Sequence, residues 1–330
     1  MARQTLLGLI FSLLASHSFT SAVLATTFTL VNKCEYTVWP GILSNPGVAP
    51  ISTTGFALQK GETKTINAPA SWAGRFWGRT LCSQDSNGKF SCVTGDCGSG
   101  KLECSGSGAV PPATLAEFTL DGAGGMDFFD VSLVDGYNLP MLIAPQGGTG
   151  TNCTSTGCVT DVNGQCPSEL KVTSEDGAEG VACKSACEAF QQPQYCCRGA
   201  YGSPQTCKPS SYSQIFKKAC PQAYSYAYDD KSSTFTCAHA DYLIAFCPSP
   251  NAGQKSSQGQ SPDQITQTTT APPVIGGTGI GGTGTMTYEG LSPFDESGAS
   301  QSTSAHMLRS HAIAGALSIT VAIWQLVQLL

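Results

Sequence analysis

The chain has 330 residues, 17 Lys and Arg against 23 Asp and Glu for a formal net charge of −6, and 16 cysteines. That balance excludes the broad basic surface by which a protein holds nucleic acid or an anionic membrane, and leaves neutral polymers among the partners. All 16 cysteines lie between Cys34 and Cys247, and an even number confined to one region implies an oxidising, secretory compartment and eight disulfides.

In chain order, residues 1–25 set Arg3 before an apolar run from Leu6 to Leu14 and end on Val23-Leu24-Ala25, the layout of a secretory signal peptide. The run is too short to cross a bilayer, so the mature protein is expected to begin near Thr26. From there TTFTLVNKCEYTVWPGI alternates polar and apolar residues and is rich in β-branched and aromatic side chains, as strands are. LAEFTL, DFFDVSL and YLIAFC repeat the pattern, with Gly and Pro turns between them. Residues 26–250 are therefore expected to form one mainly β domain, a sandwich or barrel. Helical pattern is confined to VACKSACEAF and to SSYSQIFKKAC; in the latter Ser210 or Ser211 caps and Ile215, Phe216 and Ala219 face inward. Both lie between Cys153 and Cys220 with about half of the cysteines, a second lobe expected to be held by bridges more than by an apolar core.

Past Pro250 the texture turns to Gly, Ser, Thr, Gln and Pro, which cannot bury enough apolar surface to offset its ordering entropy. Residues 251–297 read as a flexible stalk with a mean reach of roughly 35 to 40 Å. Ser297-Gly298-Ala299 then precede a polar spacer through His311 and an uncharged run from Ala312 to Leu330. Small residues, spacer and apolar tail follow the order of a glycosylphosphatidylinositol attachment signal, with Ser297 or Gly298 as the attachment site and residues 298–330 as the removed propeptide. The expected location is the extracellular face of the plasma membrane, in its outer leaflet.

There is no Cys-x-x-Cys, His239 is the one histidine between the processed ends, and no phosphate-binding loop occurs, so neither a metal site nor a cofactor is expected. His239 reads as structural or exposed, since a catalytic triad needs organised partners. Asn152-Cys153-Thr154 is an N-glycosylation sequon. The densest chemistry lies in AEFTLDGAGGMDFFDVSLVDGYN, where Glu117, Asp121, Asp127, Asp130 and Asp135 stand with no Lys or Arg among them. In LAEFTL, Ala116, Phe118 and Leu120 share one face and Leu115, Glu117 and Thr119 the other, which points Glu117 away from an apolar core. Asp130 and Asp135 are an odd number apart and share a face only if the strand ends between them. Asp135-Gly136 and Asp121-Gly122 are turn signals, and Asp127 reads as a surface residue.

GKFSCVTGDC from Gly88 to Cys97, followed by Gly100 and Cys104, resembles the signature of the thaumatin-like proteins, the plant pathogenesis-related family of osmotin and thaumatin. TLVNKCEYTVWPG, PPATLAEFTL, DFFDVSLVDGYNLPM, QYCCRG and CPQAYSYAYDDKSSTFTC resemble that family too, so the resemblance runs through residues 26–248. It implies a flattened β-sandwich with a disulfide-rich lobe of short helices beside it. It also implies the pairing Cys34 with Cys247, Cys82 with Cys92, Cys97 with Cys104, Cys153 with Cys237, Cys158 with Cys220, Cys166 with Cys183, Cys187 with Cys196, and Cys197 with Cys207. Between the two parts it implies an acidic cleft, whose matching positions here are Arg75, Glu117, Asp130, Asp135 and Asp229.

The function this resemblance implies is a secreted, surface-anchored defence protein, a single copy that binds β-1,3-glucan in the cleft. Two rivals accompany it. One is a weak endo-β-1,3-glucanase with Glu117 as acid and Asp135 or Asp130 as partner, since paired carboxylates are the minimal apparatus for glycoside hydrolysis. The other is a membrane-active antifungal protein without turnover.

Overall fold

The computed structural model describes residues 25–249 apart from 175, 176 and 178. The signal segment up to Leu24, the stalk and the attachment site at Ser297 or Gly298 lie outside the described residues. The elements are β1 (Thr27–Asn32), β2 (Trp39–Ser44), β3 (Thr63–Asn67), β4 (Ala73–Gln84), β5 (Phe90–Thr94), β6 (Leu115–Thr119), β7 (Asp127–Ser132), β8 (Met141–Thr149), β9 (Thr156–Cys158), β10 (Lys171–Thr173), β11 (Gly180–Cys183) and β12 (Phe235–Phe246). Four helices fall between the last two strands: α1 (Ala186–Phe190), α2 (Pro193–Cys196), α3 (Ser211–Ala219) and α4 (Asp230–Ser233). Among the described residues no helix is long and apolar enough to cross a membrane.

Ten strands share one sheet in the order β2-β4-β6-β7-β12-β1-β3, with β5 beside β4, β8 beside β12 and β9 beside β8. β1 runs parallel to β12, and the other pairs are antiparallel. In a flat sheet β4 and β1, four places apart, would be separated by about 19 Å. Yet the ring of Phe28 on β1 lies 4.8 Å from that of Phe76 on β4 and 4.7 Å from that of Phe118 on β6. The sheet is therefore curled until its inner face closes on itself, which gives the sandwich-like body that the alternating segments predict. β12 carries the curl. Its first three residues pair with β7, and Ala238 and then Ala240 to Phe246 pair with β8 in one register, His239 between them having φ 58°.

The inner face holds one apolar core. Ala116, Phe118, Phe129, Val131, Tyr242 and Ile244 are buried in it, each at the strand parity expected of an inward residue. On the outer face a smaller cluster of Trp77, Leu115, Ala113 and the Cys97–Cys104 bridge covers only part of the sheet. The buried Arg79 fastens that covering. Its guanidinium donates to the carbonyls of Trp39, Pro40 and Leu102, and burial lowers it to about 10.

The second lobe differs from expectation in two respects. Val162, Leu170, Phe216 and Ala223 belong to the same core as the strands, so the lobe is packed on apolar surface as well as bridged. VACKSACEAF is helical only from Ala186. The backbone of Cys183 exchanges hydrogen bonds of 2.7 and 2.8 Å with Tyr137, and β11 pairs with β10, so tertiary partners claim the first half as a strand. Ser185 then caps α1 by accepting from the Glu188 N–H. In SSYSQIFKKAC the expectation and the structure agree. Ser210 caps α3 in a reciprocal box with Ser213, and Phe216 is buried.

The 16 cysteines form eight disulfides, and they are the eight pairs that the family resemblance implies. Cys34–Cys247 joins residues 213 apart in sequence and so ties the two ends of the body.

Candidate functional site

Strand register builds the site. Arg75 of β4 stands opposite Glu117 of β6, and Glu117 stands opposite Asp130 of β7. Because neighbours in a ladder point to the same face, the three side chains form one row across three strands. That face is the outer one, since the alternate residues Phe76, Ala116, Phe118, Phe129 and Val131 fill the core. Arg75 Nε lies 3.7 Å from Glu117 Oε1, and the two side chains are 15% and 29% exposed. The pair is thus partly shielded yet reachable.

Asp130 occupies a harsher environment. Its Oδ1 is sealed from solvent with no hydrogen-bond partner among the described residues. Burial pushes its carboxyl well above the usual carboxylate range, the charges of Glu117 and Asp230 push the same way, and Arg75 opposes them. β12 begins at Phe235, opposite Phe129, and Thr234 immediately precedes it. Thr234 Oγ1 is 2.5 Å from the Tyr224 hydroxyl, which donates to Asp230 Oδ1 at 2.8 Å. Burial raises the Tyr224 phenol, and the charge of Asp130 raises it further. Tyr224, Asp230 and Thr234 therefore extend the row. Sequence reasoning chose Asp229 of the Asp-Asp pair and had no local signal for its neighbour.

The two remaining expected residues lie outside the row itself. β7 ends at Ser132, and Asp135 sits in the turn from Leu133 to Gly136, as the odd spacing from Asp130 requires. Gly136 has φ +86°, and a Cβ there would lie 2.6 Å from the Cys183 carbonyl, so only glycine closes this turn against the lobe. The Asp135 carbonyl accepts from the Ala113 N–H at 3.0 Å. Asp229 is engaged in local structure. Its Oδ2 accepts from the Ser225 backbone and hydroxyl and from Lys217 Nζ at 2.8 Å, and its Oδ1 accepts from the Ser232 hydroxyl. These bonds hold the segment Ser225–Asp229 that carries Tyr224 and Asp230 at its two ends.

Asp127 corrects an expectation. It is 4% exposed and faces the core, where Oδ1 accepts from the Asp121 N–H at 3.0 Å and Oδ2 from the Tyr242 hydroxyl at 2.8 Å. Asp121 is the turn residue expected, with φ 53°, and its carboxylate accepts from Ser71. His239 is exposed. A small, shallow pocket is bordered by Val134, Tyr195, Lys208, Phe216 and Tyr226. None of the row residues lines it. Its hydroxyls at Ser210 and Ser213 are spent in the α3 capping box, and that at Ser225 on Asp229.

Chemically, the row sets Glu117, beside the Arg75 cation, next to Asp130, whose carboxyl burial pushes toward the protonated form. Carboxyl groups of either form can hydrogen-bond the hydroxyls of a neutral ligand. Both carboxyls rise from neighbouring strands on one face of the sheet.

The thaumatin family model matches residues 32–248. Thaumatin-like protein 1 of Arabidopsis thaliana is 60% identical over 229 residues, which make up 68% of this chain and 86% of that protein. Pathogenesis-related thaumatin-like protein 3.5 of Cryptomeria japonica is 60% identical over 225 residues, 68% of this chain and 91% of that protein. The PR5-like receptor kinase of Arabidopsis thaliana is 54% identical over 239 residues, 72% of this chain but 36% of the kinase.

Proposed function

Because this chain belongs to the thaumatin family through nearly all of its disulfide-bonded body, we propose that it is a secreted defence protein whose outer acidic row binds β-1,3-glucan without cleaving it. The observation that supports this most directly is the register of Arg75, Glu117 and Asp130 on one exposed face. Glu117, beside the Arg75 guanidinium, accepts hydrogen bonds from sugar hydroxyls, and Asp130, whose carboxyl burial pushes toward the protonated form, engages the next hydroxyl. Asp135 and Asp229 belong to the walls: the first in the turn beside the lobe, the second as the brace of the Tyr224–Asp230 segment. The name of the Cryptomeria relative is consistent with a pathogenesis-related role.

The surface tether is part of the proposal. A domain on a flexible stalk of residues 251–297, linked to lipid at Ser297 or Gly298, stays within roughly 40 Å of the membrane. Many such copies engage one polymer with a raised effective concentration for each further contact. The receptor kinase among the relatives lends support to work at a cell surface. A second reading, weak endo-β-1,3-glucanase, draws on one observation. Burial pushes the Asp130 carboxyl up beside Glu117, and a general acid needs a carboxyl shifted in that direction.

One experiment separates them. Wild type, Glu117→Gln and Asp130→Asn are tested for retention on insoluble β-1,3-glucan and for sugar released from soluble glucan. Retention that both substitutions weaken, with no sugar released, is the expected result. Release of sugar that Asp130→Asn abolishes favours the hydrolase. Retention unchanged in both variants removes the row from the function. Phosphatidylinositol-specific phospholipase C on intact cells, together with a truncation at Ser297, tests the tether: the expected outcome is release in both cases.

A further inference from the structure

We propose that an N-linked glycan on Asn152 closes one end of the acidic row and restricts it to the ends of polysaccharide chains. The inference rests on the glucan-binding reading above. Its starting point is a hydrogen bond. Asn152 is exposed, and its Nδ2 donates to the Thr234 carbonyl at 2.9 Å. Thr234 directly precedes β12, whose first residue Phe235 stands opposite Phe129, the neighbour of Asp130, so Asn152 hangs beside the Asp130 end of the row Arg75, Glu117, Asp130.

The side on which it hangs follows from the pairing. Phe235 and Cys237 stand opposite Phe129 and Asp127 of β7. On the other side of β12, β8 ends with Thr149 opposite Ala238, and the chain continues to Asn152. A Cβ added to Gly150 would lie 3.4 Å from the Thr236 carbonyl, and Cys153 is bonded to Cys237. The segment 150–153 thus runs along the start of β12 on the edge away from β7, pinned by a disulfide and by the Thr234 bond. A glycosylated asparagine keeps one N–H, so the bond to Thr234 survives the modification. Cys237 is made 84 residues after Cys153, so the sequon is presented to the glycosylation machinery before that bridge can close.

From Arg75 to Thr234 the row spans about 14 Å at ordinary strand spacing. Beyond Arg75 comes Leu43 on β2, the last strand of the sheet order, whose far side is bordered by residues 54–58 within the plane of the sheet. Beyond Thr234 stands a bulky, hydrated oligosaccharide. A short glucan enters over β2 and ends near Asp130. An internal stretch of a long chain needs passage at both ends and is turned away.

The test uses the full chain secreted from plant cells. Thr154→Ala removes the sequon while leaving the Asn152 side chain and its bond to Thr234, and Thr154→Ser keeps the sequon. Mass before and after treatment with a peptide N-glycanase reports the glycan. Binding is measured to a short soluble β-1,3-gluco-oligosaccharide and to long insoluble β-1,3-glucan. The expected result is a glycanase-sensitive mass on wild type and Thr154→Ser, with several-fold stronger retention of Thr154→Ala on the long polymer and equal binding of all three proteins to the short one. Absence of the glycan from wild type overturns the inference alone. So does equal retention of glycosylated and unglycosylated protein on the long polymer. If no form binds either ligand, the glucan reading falls and this inference with it.

Discussion

Asp127 and Asp130 stand three residues apart on one strand, and the fold treats them in opposite ways. Asp127 points into the core, where its two oxygens accept from the Asp121 N–H and the Tyr242 hydroxyl. Asp130 points out, beside a second carboxylate, with one oxygen sealed and unbonded among the described residues. Burial raises both carboxyls, but at Asp127 the two hydrogen bonds pull back toward the ionised form, whereas at Asp130 neighbouring negative charge pushes further from it. A carboxylate kept for structure is given its partners within the chain. Asp130 has no such partner for its sealed oxygen among the described residues, and its place is in the outer row with Glu117 rather than in the core.

The sharpest way to break this contrast is at the structural member. Asp127→Ala strips the acceptors from a backbone N–H and a buried phenol at once, and is expected to cost about 2 to 4 kcal/mol, read as a shift of the denaturant midpoint with the disulfides intact. Tyr242→Phe removes one bond and leaves the other, for about 1 to 2 kcal/mol. If Asp127→Ala proved no worse than Asp130→Ala, the division of labour would collapse.

Asp130→Asn has the opposite sign. The folded carboxyl binds its proton more tightly than the unfolded one, so stability falls as pH rises from the ordinary carboxylate range through the raised value, and is unaffected below that range. The substitution removes that loss. At neutral pH the variant is expected to be more stable than wild type by about 1 kcal/mol, with the gain vanishing near pH 3, while glucan retention drops. Glu188 sets a parallel case in the lobe: burial raises it to about 7 against the pull of Lys184, and one of its oxygens is buried with no partner among the described residues. Glu188→Gln should therefore also stabilise above pH 7 and have no effect below pH 4, with glucan retention intact. Denaturation series at several pH values check both signs.

Much of this contrast was legible in the residues. In DFFDVSL, Asp127 shares its parity with Phe129 and Val131, so the period-2 pattern already placed it on the inner face; the surface reading gave the charge more weight than the register. Glu117 was placed correctly by the same rule. The Asp130 to Asp135 problem was also stated by parity, and the answer, a strand that stops at Ser132, needed the turn that Gly136 closes against Cys183. What sequence could not supply was long-range choice. Nothing local assigns Cys183 to a strand, since Tyr137, far away in the chain, captures its backbone. Nor does anything local divide the Asp-Asp pair into a brace, Asp229, and a row member, Asp230, because the division depends on where Lys217 and Tyr224 fall once α3 has packed.

The smallest expected effect is the most specific to the site. Glu117→Gln removes one of the charges that raise Asp130 but leaves its burial untouched, and burial is the larger cause. The Asp130 carboxyl, followed by carbon-detected NMR titration, is therefore expected to move down in Glu117→Gln yet stay above the ordinary carboxylate value. Global stability should scarcely change, since Glu117 is partly exposed and has little packing to lose. Asp230→Asn should produce a smaller shift in the same direction, because the charge of Asp230 raises Asp130 less than that of Glu117 does. Full return of Asp130 to the ordinary value in Glu117→Gln would mean that charge alone raises it. The sealed oxygen would then have no part in the shift, and the case for Asp130 as a hydrogen-bond donor to sugar would weaken to that of an ordinary surface acid.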